Sequence, residues 1–304
     1  MKRAVWLLAL SVFCANAQVF APPPYATAQL DGLITDAGLD EISGLAASRR
    51  VDDLYWVHND APRPAELVAL DGKGQRRGSV RIEGARAIDW EDIASYSLDG
   101  KSWLLVGDVG DNLGVRKDYE LIAIEEPVLP VDGSTVTVKP AWRVRFRYPD
   151  GPHDVEALAV DVPARTILLL SKRTPRPTLY SLPLGAGTGD IAVAQKLVEV
   201  DAIPAPTPAE RAAHFPAARY GGSPTAMDID AAGRRAIVLT YRDIWIFARE
   251  HGESWSEAFV RKPQRLPLPL LAQAEAVGFD RAGKAIRVSG ERLPAPWLRF
   301  DENH

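Results

Sequence analysis

The chain of 304 residues has one cysteine, Cys14, five scattered histidines and two methionines. A single cysteine excludes an internal disulfide and a thiolate metal site. No His-Glu-x-x-His segment is present, which excludes that type of zinc site, and there is no P-loop. A Gly-x-Ser-x-Gly nucleophile elbow is missing too; Gly221-Gly222-Ser223-Pro224-Thr225 lacks the last glycine. The glycine-rich stretch Gly185–Gly189 has no helix pattern after it and reads as a plain turn. Basic charge is not in excess: 36 Lys and Arg stand against 40 Asp and Glu, a formal net charge of -4. Nucleic acid is therefore not an expected partner, since phosphate recognition needs a surplus of cations. Helical periodicity is scarce, with Pro208–His214 the one stretch that suggests it.

The only apolar run of any length is at the start, in MKRAVWLLALSVFCANAQ. Basic Lys2-Arg3, a short apolar core and Ala15-Asn16-Ala17 have the anatomy of a signal peptide cut after Ala17, and the run is too short to span a bilayer. A lipid anchor on Cys14 fits less well, because bulky Phe13 precedes it. The expectation is a leader over 1–17 and a single exported domain over 18–304, periplasmic or secreted. Cleavage would take the net charge to -6 and remove Cys14.

What the sequence does have is 46% hydrophobic residues, with 23 Gly and 24 Pro spread along the chain, which suits short strands joined by turns. It also has a repeat. Asp89-Trp90-Glu91 opens a strand-like segment, and the pattern returns at Asp154-Val155-Glu156 and Gln273-Ala274-Glu275. Weaker copies stand at Glu41-Ile42-Ser43 and Ser223-Pro224-Thr225. After a turn, each copy continues in a strongly apolar second strand, such as Trp103–Val106, that ends in a polar cluster. Those clusters are His58-Asn59-Asp60, Asp108–Asn112, Ser171-Lys172-Arg173, Thr240-Tyr241-Arg242 and Ser289–Arg292. A third strand follows each, and a fourth follows in four copies, near Ser79–Ile82, Ala141–Arg147, Val193–Val200 and Phe259–Leu266. The positions Ser43, Glu91, Glu156, Thr225 and Glu275 lie 48, 65, 69 and 50 residues apart. A period near fifty with four strands per unit predicts an all-β chain folded as a β-propeller of five blades. A sixth would fit if a degenerate blade lay in the Pro-rich insertions around Glu126–Ser134 and Ile203–Gly222. The fifth unit ends after its third strand, so an N-terminal strand at Tyr25–Leu30 is expected to close the ring.

In an antiparallel hairpin the start of strand one and the end of strand two share an end, so all five acidic openings and polar clusters should meet at one mouth of the central channel. Residues two apart point the same way, which pairs Asp89 with Glu91 and Asp154 with Glu156. Together with Asp60, Asp108, Asp111, Glu275 and Glu291 they make that mouth acidic, with Lys172, Arg173, Arg242 and Arg292 as a basic counterpart. Crowded carboxylates need neutralising. A hard cation such as Ca²⁺, which takes six to eight oxygens, is one solution; Asp108, Asp111 and Asn112 offer alternating oxygens around Gly110. Internal pairing that fastens blade to blade is the other. His58, Asn59 and Asp60 serve either turn chemistry or ligand contact, His153 reads as a local hydrogen-bonding residue, and Trp90, Trp103 and Trp245 as core.

Glu156-Ala157-Leu158-Ala159 and Glu275-Ala276-Val277 resemble segments of secreted bacterial phytase-like propellers, also described as having esterase-like activity of phytase. Trp90-Glu91-Asp92-Ile93-Ala94 and Gly107–Asn112 are similar to segments of other exported bacterial propellers of little-characterised function. The resemblance implies a calcium-associated propeller that cleaves phosphate or carboxylate esters, with Glu91, Glu156 and Glu275 holding metal and Lys172 and Arg173 facing an anionic substrate. Departures are Ser43 and Thr225 in place of Glu, and five blades where phytases usually have six. The function expected is a divalent-cation site, calcium first and no organic cofactor, with a small ligand at the acidic mouth. A hydrolase would use Glu91 and Glu156 as ligands, Asp111 as ligand or general base and Arg173 as anion clamp. The ligand would also meet Asp89, Asp154, Lys172, Arg242 and Glu291. The alternative is a non-catalytic binding or scaffold propeller of the cell envelope, its acidic repeats locking the blades.

Overall fold

The computed structural model describes residues 24–60, 63–174, 176–185, 189–212 and 220–303. The expected leader, Cys14 and His214 lie outside them. Strand β1 (Gln29–Ile34) precedes blade 1, formed by β2 (Ile42–Ala47), β3 (Leu54–Asn59), β4 (Glu66–Asp71) and β5 (Arg76–Ile82) in antiparallel order. Blade 2 has β6 (Trp90–Leu98), β7 (Lys101–Asp108), β8 (Tyr119–Glu125) and, after β9 (Thr135–Val138), β10 (Trp142–Arg147). Blade 3 has β11 (Val155–Asp161), β12 (Thr166–Ser171), β13 (Thr178–Pro183) and, after β14 (Ala192–Val193), β15 (Gln195–Glu199). The short helix α1 (Pro208–Ala212) leads to blade 4, with β16 (Pro224–Ile229), β17 (Arg235–Thr240), β18 (Asp243–Ala248), helix α2 (Trp255–Val260) and β19 (Gln264–Pro267). Blade 5 has β20 (Ala274–Phe279), β21 (Ala285–Gly290), β22 (Ala295–Asp301) and, as its fourth strand, β1.

The innermost strands β2, β6, β11, β16 and β20 pack each on the next and the last on the first, which closes a five-bladed β-propeller. Small residues let them converge. A Cβ on Gly278 would stand 2.7 Å from Leu45 Cδ2, across the joint between blades 5 and 1. The core is divided accordingly into five apolar clusters, one in each gap between adjacent blades.

The connections between third and fourth strands reach back over the preceding blade. β9 pairs in parallel with β5, and β14 in parallel with β10. Helix α2 sends Trp255, Ala258 and Phe259 into the gap between blades 3 and 4. Phe259 therefore does not open a strand as expected. Ser254 and Glu257 form a reciprocal capping box that starts a helix there, and the fourth strand begins only at Gln264. The closing strand is also later than Tyr25–Leu30. Tyr25 is instead buried between blades 4 and 5, bridged to Glu302, with its hydroxyl 3.0 Å from Arg235 Nη1. Among the described residues no helix is long and apolar enough to cross a membrane.

Candidate functional site

Each innermost strand slips register by one residue at the same place: between Ile42 and Gly44, Trp90 and Asp92, Val155 and Ala157, Pro224 and Ala226, and Ala274 and Ala276. The residue left out of the ladder is Ser43, Glu91, Glu156, Thr225 or Glu275, so the five positions of the sequence repeat are five β-bulges. A bulge re-aims its side chain, and all five are buried at one end of the channel. The second ring at this mouth is Asp60, Val109, Lys172, Tyr241 and Glu291, each just past the end of its blade's second strand. The amides of Asp60, Val109, Lys172 and Glu291 donate to the carbonyls of Glu41, Asp89, Asp154 and Gln273, which ties each hairpin shut.

On the side of blades 3 to 5 the charges are internally matched. Lys172 Nζ pairs with Glu156 Oε2 and donates to the Tyr241 hydroxyl at 3.0 Å; Tyr241 donates to Glu275 Oε1 at 2.6 Å. Burial works against the Lys172 charge, but Glu156 and Glu275 outweigh it and hold its pKa well above the usual lysine value. Burial raises Glu156 well above the usual carboxylate range, against the pull of Lys172. Burial and then Glu275 push Glu291 up to about 8. Arg173 Nε lies 2.5 Å from Asp154 Oδ2, and its Nη2 donates to Asn112 Oδ1.

Between blades 1 and 2 the balance differs. Carboxylate oxygens of Asp60, Asp89 and Glu91 lie within 4.8 Å of one another, as do those of Glu91, Asp154 and Glu156. The second group carries Lys172 and Arg173. In the first, neither Asp89 nor Glu91 forms an ion pair among the described residues; the nearby Arg116 pairs with Asp108 at 2.7 Å and donates to Gly110 O at 2.8 Å. Burial and then Asp154 push Asp89 up to about 6, and burial, Glu156 and Asp60 raise Glu91 well above its ordinary value. Gly110 backs this pair of carboxylates. A Cβ there would meet Glu91 Oε1 at 2.2 Å and Asp89 Oδ2 at 2.5 Å.

The other expected site residues have local partners. Asp111 accepts from the amides of Val115 and Arg116 at 2.9 Å and from Tyr119 OH at 2.9 Å. Burial would raise its pKa, but these bonds hold it below the usual value. Its carboxylate thus shapes the loop that carries it. Asp108 receives the amides of Ile88 and Asp89 as well as Arg116. His58 is buried edge-on to Trp90 at 5.6 Å, and burial pushes its pKa down to about 4. Asn59 bonds Gly38 O and the Glu41 amide. Arg242 reaches outward to Glu210 in α1 rather than into the acidic group. His153 pairs with Asp150 at 2.9 Å. Trp90 and Trp245 are buried and Trp103 stacks on Tyr96.

Sequence reasoning passed over Asp92 and Asp228. Both are buried in the channel wall. Asp92 takes the amides of Ile93, Leu158 and Met227 at 2.9, 2.8 and 3.0 Å, joining blades 2, 3 and 4. Asp228 takes those of Ile229 and Phe279 at 2.8 and 2.9 Å, joining blades 4 and 5. Burial raises Asp92 well above its ordinary value and pushes Asp228 up to about 6. The available signal was an aspartate inside an apolar strand where the other repeats carry Gly or Ala.

Beside the acidic mouth opens a cavity of about 630 Å³, lined by Lys172, Arg173, Thr174, Arg211, Tyr220 and Tyr241. This is within the roughly 300–1,000 Å³ usual for small-molecule sites.

No family model matches the sequence, and no curated protein matches it. Among solved structures, the chain is similar to a luciferin-regenerating enzyme at 11% identity and a TM-score of 0.43, covering 88% of this chain and 94% of that one. It is similar to XC5397 from Xanthomonas campestris, described as a gluconolactonase, at 14% identity and 0.42, covering 93% and 98%. A chain of a nidogen–laminin complex is 12% identical at 0.43, covering 84% and 82%. At these identities the likeness extends no further than overall fold.

Proposed function

We propose that the acidic mouth holds a divalent cation, calcium foremost, and that the cation and the adjoining cationic cavity together bind a small anionic ligand. The observation that carries this reading is the convergence of Asp60, Asp89 and Glu91, with Gly110 behind the last two; its missing side chain keeps their space open. Three carboxylates supply part of the oxygen shell of Ca²⁺; backbone carbonyls and water supply the rest. A bound cation would polarise a carbonyl or phosphoryl oxygen and sharpen a water for attack, the chemistry of a metal-dependent ester or phosphoester hydrolase. The chain's own groups would do the positioning. Arg173 and Arg211 would face the anionic end of the ligand. Lys172 and Tyr241 would fix the floor, and Glu291, which keeps its proton near neutral pH, could lend one. The resemblance to phytase-like propellers supports the same reading, and export, which the leader-like start of the chain predicts, would place it where calcium is plentiful. N-terminal sequencing of the secreted protein should start at Gln18.

The test is thermal unfolding in EDTA and in millimolar Ca²⁺. Binding at 100 times the dissociation constant adds about 2.7 kcal/mol, and the shift should vanish in Glu91→Gln and Asp89→Asn. No response to Ca²⁺, Mg²⁺ or Mn²⁺ would sink the cation site. The scaffold reading would then stand, and it has its own support. Ser43 Oγ donates to Glu91 O and Thr225 Oγ1 to Ala274 O, each at 2.7 Å, so two of the five bulges fasten their blade to the next.

A further inference from the structure

The opposite mouth of the channel has a cavity of its own, of about 220 Å³, to which all five blades contribute. Its walls are divided by chemistry. Arg49 from blade 1 and Arg281 from blade 5 stand on one side; Val160, Val162 and Ile229 from blades 3 and 4 stand on the other.

Arg49 is held in place. Its backbone amide donates to Glu126 Oε2 at 2.9 Å, and its Nε donates to Ser95 O at 3.2 Å and Ser95 Oγ at 2.9 Å. Ser95 is itself tied to Ala47 O at 2.6 Å. Among the described residues Arg49 forms no ion pair. The buried Asp228, whose charge Arg49 favours, already has its oxygens on the amides of Ile229 and Phe279. Among the described residues Arg281 pairs only with Asp52, at 3.0 Å, whose side chain is 89% exposed. Such a surface pair contributes little and yields easily to a better partner. Two guanidinium groups on adjacent blades repel each other unless an anion lies between them, and a guanidinium fixed beforehand loses less freedom on binding.

We infer that this far mouth is a second binding site, for a short organic monocarboxylate that sets its carboxylate against Arg49 and Arg281 and its carbon chain against Val160, Val162 and Ile229. The cavity is smaller than the roughly 300 Å³ at which drug-sized sites begin, so a short chain is the fitting size. Among the described residues no carboxylate lines the cavity, so this site is independent of any cation at the acidic mouth.

Calorimetric titration of the protein with hexanoate in EDTA tests it, with hexylamine as the probe of opposite charge. Hexanoate should bind saturably and hexylamine should not. Arg49→Gln should weaken hexanoate by about tenfold, a loss of ~1.4 kcal/mol. Arg49 also supports the fold, so Ala231→Glu provides a second variant. Ala231 is exposed on the cavity rim, and a glutamate there should occupy the arginines and abolish binding without disturbing the core. Asp89→Asn should leave the affinity unchanged. Absence of hexanoate binding, or equal binding of hexylamine, overturns the site. Affinity retained in Arg49→Gln and Ala231→Glu but lost in Arg173→Gln also overturns it, by moving the anion to the other mouth.

Discussion

Gly110 and Asp92 sit one strand apart and answer to different demands. Gly110 has no positive φ, so alanine is conformationally acceptable there; its cost falls on the carboxylate tips of Glu91 and Asp89, which must swing aside. Gly110→Ala should therefore keep the melting temperature in EDTA within a few degrees of wild type while losing the calcium response. An equal loss in EDTA would instead make Gly110 a folding requirement. Asp92 is the converse. Asp92→Ala strands the cross-blade amides of Leu158 and Met227, at roughly 1–3 kcal/mol for each buried group left unsatisfied. Urea unfolding should show a fall of about 2–6 kcal/mol whether or not cation is present. The sequence made Glu91 legible through its repetition. It could not show that Asp92, one residue on, is aimed into the channel wall, because a bulge reverses the facing that strict alternation implies. Asp111 was hard to place for a related reason: loop aspartates satisfy their own turn, as Asp111 does with Val115, Arg116 and Tyr119, as readily as they face a ligand, and composition does not tell the two apart.

At the level of the strands, the repeat proved to be a repeat of bulges. The same irregularity in five blades delivers one side chain each to the mouth, and Ser or Thr there does what an ionised Glu cannot, donating to the neighbouring blade's carbonyl. Ser43→Ala should cost about 1 kcal/mol, the usual net worth of one buried hydrogen bond, and Thr225→Val a similar amount. Chemical denaturation would read both, and the calcium shift should survive in each. First, second and third strands were readable because each is a compact apolar run with a turn at its end. The fourth strands of blades 1 to 3 were readable too, at β5, β10 and β15; that of blade 4 and the short strands β9 and β14 were not. Trp255–Val260 carries as much apolar character as a strand, and only the Ser254/Glu257 capping box marks it as helix. β9 and β14 are short, exposed segments whose pairing belongs to the preceding blade, a relation that no local pattern encodes.

For the whole molecule, the concentration of buried acid at one mouth sets a pH dependence. The pKa of Glu291 rises from 4.5 to about 8 on folding, and that of Asp89 from 3.8 to about 6. The native state thus keeps protons that the unfolded chain has released, and stability falls as pH rises. The contribution of Glu291 is complete below pH 4.5 and gone above 8. In EDTA the melting temperature should decline between pH 5.5 and 8.5, and Glu291→Gln should flatten the decline. Calcium, which prefers ionised ligands, should recover most at the alkaline end. A melting temperature that climbs over that range would contradict the buried-acid account. The blade count and the acidic face were legible because they follow from spacing and hairpin geometry. Which acids carry an internal counter-charge was not, since Lys172 reaches Tyr241, and through it Glu275, only once blades 4 and 5 have closed on blade 3.

That closure also has a cost in time. Gln29 pairs with Arg299, so during synthesis the first strand waits for about 270 further residues, roughly 15 to 50 s at ordinary ribosomal rates of ~5–20 residues per second. Until then β1 has no sheet to join and the gap between blades 5 and 1 stays open. The chain's exposure to proteases and chaperones is therefore greatest late, when four blades are complete and the last lacks its edge.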